Sequence, residues 1–387
     1  VSTYESAGVD YRVLDAAKRS SLRAALSTTS YPASRGAEVV DASRGEPAVV
    51  VRLGGVAGAG GAGGAGVVAG AGGVGGVTTA LVLECLGTKS VIASEYEAAG
   101  GAGRFDAVGY DTVAAAVNDV ICVGALPVLV NAYFATGSAA WYGRDRHEQL
   151  VGGFARGCAD AGAAWGGGES PTLSGLVAED GIDLAATALG IIPAELGGDP
   201  LLGAALAVGD EIVLVASTGL HANGASLARR VAAELAEGWR TPLPGSGREL
   251  GDVVLDASAI YVSLVAALIA DHVPLRYVSH ITGHGLRKLM RADRELGYRI
   301  HSLPEVPEVL AYLAGATGMD SAEAYGTFNM GAGLAVYCAA GSGSAVVASA
   351  QSLGHAALLA GVVEDGPRRV MLEPVGVTYE AADLELR

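Results

Sequence analysis

Between Leu53 and Leu83 the chain runs for 31 residues without a charged side chain, and 13 of the positions from Gly54 to Gly76 are glycine. Few structures accommodate such a stretch. Each glycine costs about 1 kcal/mol against alanine inside a helix, so one continuous helix is excluded. There is no aromatic belt and no pair of basic flanks, which argues against a membrane span. No Gly-Lys-Ser/Thr ending closes it, so it is not a Walker-type phosphate loop. The plain reading is a flexible connection, and the sharper one is a backbone cradle for phosphate. Apolar β-runs flank it at 48–53 and 78–85.

The rest of the chain is ordinary globular material. Its 387 residues are 51% hydrophobic, enough to core two domains and too apolar for a disordered chain. The 25 basic and 41 acidic residues give a net charge of −16. That balance excludes a general nucleic-acid or anionic-membrane binder. Four cysteines (Cys85, Cys122, Cys158, Cys338) form no CxxC pair, so a zinc ribbon or disulfide framework is not expected. They read as reduced, buried residues of a cytoplasmic protein. Residues 1–10 have neither the basic start nor the apolar run of a signal peptide. Lysine occurs only at Lys18, Lys89 and Lys288.

Strand-like and helix-like segments alternate through both halves, which predicts a mixed α and β protein. Helices are expected over 11–26, 105–124, 147–162, 225–237, 255–270, 285–294 and 345–353. Further strands are expected over 126–134, 182–192, 210–217, 276–280, 334–338 and 357–363. Gly166–Gly168 read as a break after the third of these helices. The Gly/Pro-rich stretch 193–200 reads as a linker, giving an N-terminal domain over 1–195 and a C-terminal domain over 196–387.

Four constellations carry chemistry. Gly87-Thr88-Lys89 after a β-run offers backbone N–H groups, a hydroxyl and an ammonium to a phosphate. Glu84, just before it, is suited to a metal bridging phosphates. On the helix over 105–124, Asp111 and Asn118 lie seven residues apart on one face, flanked by Asp119. Carboxylates on so apolar a helix need partners, either Mg²⁺ or a structural ion pair. Gly166-Gly167-Gly168-Glu169 permits close backbone approach beside a carboxylate, or is a simple turn. His221-Ala222-Asn223-Gly224, His280-Ile281-Thr282-Gly283-His284 and Thr327-Phe328-Asn329-Met330-Gly331 each set polar groups beside glycine, as ligand loops and plain turns both do. The histidine spacing fits no zinc motif.

Taken in order, these motifs resemble the aminoimidazole ribonucleotide synthetase family, also called phosphoribosylformylglycinamidine cyclo-ligases. Ala7-Gly8-Val9-Asp10, Gly109-Tyr110-Asp111, Val117-Asn118-Asp119 and Tyr133-Phe134-Ala135-Thr136-Gly137 complete the set. The resemblance spans residues 7–363 apart from the glycine tract. It implies an α/β N-terminal domain that dimerises across its sheet, and an α+β C-terminal domain. It also implies ATP and Mg²⁺ as cofactors and a ribonucleotide amidine as substrate. The implied reaction closes the imidazole ring after ATP phosphorylates the formyl amide oxygen, releasing ADP and phosphate.

By motif match, Glu84, Gly87, Thr88, Lys89, Asp111, Asn118, Asp119, Gly167, Gly168 and Glu169 would serve the nucleotide, with Glu84 and Asp119 on the metal. His221, Asn223, Gly224, His280, Thr282, Gly283 and Asn329 would serve the substrate. Lys89, Asp119 and His221 would act in catalysis. The sequence also departs from the family. Glu84-Cys85-Leu86 stands where the family has an Asp-Gly-Val-like run, and His284 replaces a glycine. The alternatives are a divergent superfamily member that uses ATP to activate another amide or small substrate, and a nucleotide-binding paralogue without catalysis. Within the superfamily, selenophosphate synthetase is disfavoured because Cys85 is the first cysteine. The hydrogenase-maturation member is disfavoured because Glu385-Leu386-Arg387 lacks a cysteine. Thiamine-phosphate kinase has no claim on the Thr-Phe-Asn motif.

Overall fold

The computed structural model describes residues 21, 24–54, 76–143 and 145–384. Ala7-Gly8-Val9-Asp10, Lys18, most of the helix expected over 11–26 and the body of the glycine tract lie outside these residues. The tract's two ends are described, and they are neighbours. Leu53 closes one strand, Val77 opens the next, and the two residues are direct antiparallel partners.

Among the described residues the strands form two sheets. The first contains β1 (Ala37–Val39), β2 (Val49–Leu53), β3 (Val77–Cys85), β4 (Leu126–Thr136), β5 (Ala164–Glu169) and β6 (Ile182–Ile191), in the order β1-β2-β3-β6-β4-β5. All its pairings are antiparallel except β4 with β5. The second contains β7 (Glu211–Ala216), β8 (Leu275–His280), β9 (Gly297–Ile300), β10 (Ala332–Cys338), β11 (Ala357–Glu364), β12 (Arg369–Leu372) and β13 (Val377–Glu380). Its order is β13-β12-β9-β11-β7-β10-β8, and β10 is buried along its whole length.

Helices α1 (Lys89–Ala98), α2 (Phe105–Val120) and α3 (Arg146–Asp160) belong to the first sheet, with α2 against β3 and β6. Asp106 in the first turn of α2 complements its dipole. A 3₁₀ turn over Ile121–Val123 ends it, and left-handed Gly124 (φ 80°) redirects the chain into β4. Helices α2 and α3 touch backbone to backbone. A Cβ on Gly109 would lie 2.1 Å from the Leu150 carbonyl oxygen, and one on Gly153 would lie 1.7 Å from that of Asp106. Glycine is therefore required at the crossing.

Among the described residues nothing covers the opposite face of this sheet. Along β3, Thr78, Ala80 and Val82 face the helices, while Leu81 and Leu83 are 52% and 63% exposed. Register places Leu81 beside Leu189, and Thr79 beside exposed Ile191. A strand that is apolar on both sides has a second surface to bury.

Several elements differ from the sequence reading. The helix expected over 225–237 is α4 (Ala225–Glu234), whereas of that expected over 255–270 only α6 (Val262–Ala270) is helical, preceded by a separate short helix, α5 (Leu250–Val254). The irregular segment between α5 and α6 gives its Ser258 and Tyr261 amides to side chains of α2, so it cannot be helical. The stretch over 285–294 is a 3₁₀ turn, Gly285–Met290. Gly166–Gly168 do not form a break but lie within β5, where a Cβ on Gly168 would sit 2.0 Å from the Ala132 carbonyl oxygen. Cys85 is exposed, unlike Cys122, Cys158 and Cys338. Strands β1, β9, β12 and β13 and the helices Glu308–Thr317 and Ser321–Thr327 are additions, too short or too weakly patterned to read in advance. Among the described residues no helix is long and apolar enough to cross a membrane.

The two adjacent glycines of α3 give opposite predictions. Gly153→Ala should lower stability by about 1–3 kcal/mol through overpacking. Gly152→Ala meets only the far end of Arg156, at 3.9 Å, and should hold or raise stability by up to about 1 kcal/mol. Urea unfolding of the two variants checks this, and equal effects would disprove the backbone contact.

Candidate active site

The C-terminal end of β3, the buried face of α2 and the loops after β7 and β8 converge on one cavity of about 510 Å³ between the two sheets. Its organising element is α2. Asp111 and Asn118 share a face, as their spacing predicts, and both grip the second domain. Asp111 Oδ1 accepts from the Ser258 amide at 2.6 Å, and its other oxygen pairs with the Lys89 ammonium. Asn118 donates from Nδ2 to the Ala259 carbonyl at 2.8 Å and accepts at Oδ1 from the Tyr261 amide at 2.9 Å. Lys89 is fully buried, also donates to the Asp256 carbonyl at 2.9 Å, and is not among the residues lining the cavity.

The next residue of the same helix, Asp119, turns a carboxylate into the cavity. Asp119 Oδ1 lies 2.6 Å from His280 Nδ1, at the end of β8. Burial alone would raise the Asp119 pKa. The hydrogen bond and charge of His280, with the charges of Lys288 and Arg291, outweigh it and hold the carboxyl below its usual range. Glu84 meets Asp119 from β3, close enough to share a hydrogen bond. Burial, then the Asp119 charge, pushes Glu84 up to about 8. At neutral pH the two carboxyls therefore hold one proton between them.

That pair suits a divalent cation. Mg²⁺ takes one or two carboxylates and completes its shell with phosphate oxygens and water. Among the described residues no cluster of three or more His, Cys, Asp or Glu could cage a metal. Glu84 and Asp119 could therefore hold an ion whose shell is completed by its ligand and water.

His221 (φ 58°) and His284 (φ 72°) both line the cavity in the left-handed region, which is strained for such residues. The His221 Nε2 atom accepts from the Thr218 amide at 3.1 Å and the Ala259 amide at 3.4 Å. The ring proton is therefore on Nδ1, which has no partner among the described residues. Burial, then the charges of His280 and Lys89, drives its pKa well down, so the ring is neutral. Asn223, Thr282 and Gly283 line the cavity. Gly224 does too, and its φ of 104° and the Phe328 ring 2.6 Å from its would-be Cβ both demand glycine. Gly87 (φ 72°) and Thr88 lie at the mouth of α1, with the Thr88 hydroxyl 3.0 Å from that of Ser226.

Two predicted groups stand elsewhere. Asn329 is buried behind the His221 loop. It donates to the Gly219 carbonyl at 2.9 Å and accepts from Ser217 and the Gly331 amide. Gly167, Gly168 and Glu169 lie on the exposed edge strand β5, away from the cavity, with Glu169 paired in register to Tyr133. The structure adds Ser258, Lys288, Arg291 and Glu46 to the lining. The rarity of lysine was a signal for Lys288, whereas Glu46 and Ser258 sit in no motif.

The residue order around this cavity has known counterparts. Residues 65–192 match the family described as AIR synthase related protein, N-terminal domain, and residues 207–372 match its C-terminal domain. A phosphoribosylformylglycinamidine cyclo-ligase of Methanothermobacter thermautotrophicus is 34% identical over 303 residues, 77% of this chain and 83% of that protein. The chain belongs to the AIR synthase related family. Two solved structures share its fold. Thiamine-monophosphate kinase from Stenotrophomonas maltophilia superposes with a TM-score of 0.56 at 19% identity, covering 77% of this chain and 86% of that one. A hydrogenase maturation protein HypE in complex with ATP gives 0.52 at 18% identity, covering 72% and 78%.

The Glu84 shift has a testable sign. A carboxyl whose folded pKa is raised from 4.5 to about 8 favours the folded state below pH 4.5 and withdraws that contribution as pH rises toward 8. Asp119, shifted down, acts only below its ordinary range. Urea unfolding at pH 5, 6.5 and 8.5 should therefore show Glu84→Gln gaining on wild type as pH rises. Parallel profiles would remove the shared proton.

Proposed function

We propose that this protein is an ATP-dependent cyclo-ligase that converts formylglycinamidine ribonucleotide to aminoimidazole ribonucleotide, with release of ADP and phosphate. The observation that carries the reading is the cavity itself. A carboxylate pair from the first domain faces His280, Thr282 and Asn223 from the second, in the order that the cyclo-ligase motifs follow. The activity of the cyclo-ligase relatives supports the same reaction.

In this reading Glu84 and Asp119 hold Mg²⁺, which supplies charge neutralisation for the phosphates of ATP. His280 orients Asp119 through its 2.6 Å contact. Gly87 and Thr88 present backbone and hydroxyl at the α1 N-terminus, where anions are favoured. Asn223, Gly224, Thr282 and Gly283 take the substrate side. Lys89 and Asn329 act as positioning residues. Lys89 fixes Asp111 and so the α2 face, and Asn329 fixes the loop that carries His221. His221, neutral and buried, offers its Nδ1–H as an uncharged hydrogen-bond donor, its Nε2 being taken by the Thr218 and Ala259 amides. The domain division falls at 195/196, within the connection between β6 and β7.

The open sheet face completes the proposal as a homodimer interface. Leu81, Leu83 and Ile191 supply its apolar surface, and Glu169, on the same face as Tyr133 by register, would meet the partner subunit. Its place in nucleotide binding depends on that second copy.

Two experiments test these assignments. Incubation with Mg-ATP and formylglycinamidine ribonucleotide should yield ADP and the aminoimidazole product in equal amounts. ADP without that product would favour another substrate, and binding without turnover would favour a non-catalytic paralogue. In the same assay Asp119→Asn should weaken Mg-ATP binding about tenfold or more, and unchanged nucleotide affinity would sink the metal assignment. By sedimentation, wild type should run as a dimer and the double variant Leu81→Lys/Leu83→Lys as a folded monomer.

A further inference from the structure

Among the described residues, Lys288 is the lysine that no motif absorbs. It sits in the 3₁₀ turn Gly285–Met290 and lines the cavity from the second domain. The residue is only 7% exposed. Its ammonium donates to the Thr282 hydroxyl, a neutral group. Among the described residues no carboxylate lies within ion-pairing distance of it. An ammonium carries three donors, so donors remain for whatever occupies the cavity. A buried cation without a counter-charge is costly. Such a cost is retained where a ligand supplies the missing anion.

The surroundings narrow the anion. Glu84 and Asp119 are near enough to act on Lys288 through space but not to pair with it. Arg291, the other cation on this wall, is engaged: it donates to the Gly45 carbonyl at 2.9 and 3.2 Å and lies 3.9 Å from Glu46. A ligand group must therefore tolerate a carboxylate pair on one side and satisfy an ammonium on the other. A phosphate does both, because its several oxygens can face Lys288 and a cation held by the carboxylates at once.

We propose that Lys288 anchors a phosphate group of the bound ligand between the two domains. The identity of that ligand, nucleotide or ribonucleotide, rests on the functional reading above. The anchor itself rests on the geometry.

Calorimetry on the full chain tests it, with Mg-ATP, ribose 5-phosphate and inorganic phosphate as probes. Lys288→Met should weaken at least one of them about tenfold or more, and Lys288→Arg should recover most of the loss. Without ligand, Lys288→Met should melt at or above the wild-type temperature, because it removes an unpaired buried charge. Loss confined to Mg-ATP places the nucleotide phosphate at Lys288, and loss confined to ribose 5-phosphate places the substrate's. Wild-type affinity of Lys288→Met for all three probes would overturn the proposal. So would a wild-type protein that binds none, or a lowered melting temperature with affinity intact. If the phosphate dependence on Lys288 holds but no aminoimidazole forms, the anchor stands and the cyclo-ligase reading falls. Full turnover with an unaffected Lys288→Met does the reverse.

Discussion

The buried clamp between α2 and residues 256–261 holds everything else in place. Asp111 takes one backbone amide from the second domain, and Asn118 takes another and returns a donor. Lys89 balances the charge that this requires inside the protein. Removing one member of such a buried pair leaves the other uncompensated, which costs about 3–5 kcal/mol. The clamp is thus a structural joint made from the residue types that active sites use. The residue after Asn118 on the same helix is Asp119, which lines the cavity. The distance between the joint and the chemistry is set by helix geometry alone.

That arrangement explains which chemistry each side chain is free to do. Lys89, Asp111, Asn118 and Asn329 have their polar atoms spent on the protein. Glu84, Asp119, His280 and Lys288 line the cavity, where Asp119 pairs with His280 at 2.6 Å and Lys288 feels both carboxyls without pairing to either. Strain collects in the same place: His221 and His284 adopt left-handed backbone at the cavity wall, and Met330 (φ 44°) does so beside Asn329. The joint is fully hydrogen-bonded while the strained backbone lies at the cavity wall, as expected where function and stability compete.

Much of this was legible beforehand. The spacing of Asp111 and Asn118 correctly placed them on one face, and the apolar helix correctly demanded partners for them. What spacing could not tell was whether the partners were a ligand or another domain, because a backbone amide 140 residues away leaves no trace in a motif. Glycines are ambiguous for a related reason. Gly168 and Gly224 read as places where backbone approaches a ligand; Gly168 is required by the Ala132 carbonyl away from the cavity, and Gly224 lines the cavity but is also required by the Phe328 ring. A missing Cβ signals close approach without naming what approaches. The 3₁₀ turn that presents Lys288 lacks any period to read, and only the scarcity of lysine drew attention to it.

The pairing of Leu53 with Val77 has a consequence for how this chain tolerates change. Residues on either side of the glycine tract are already adjacent in the sheet, so any flexible connection between Leu53 and Val77 would cost only an entropy of closure. That term grows by about 0.6 kcal/mol for each doubling of length. Lineages could lengthen or trim this segment by many residues while the strands, the α2 joint and the cavity kept their register. A stretch of low-complexity sequence can therefore drift here at almost no thermodynamic penalty, a few residues from the carboxylate of Glu84.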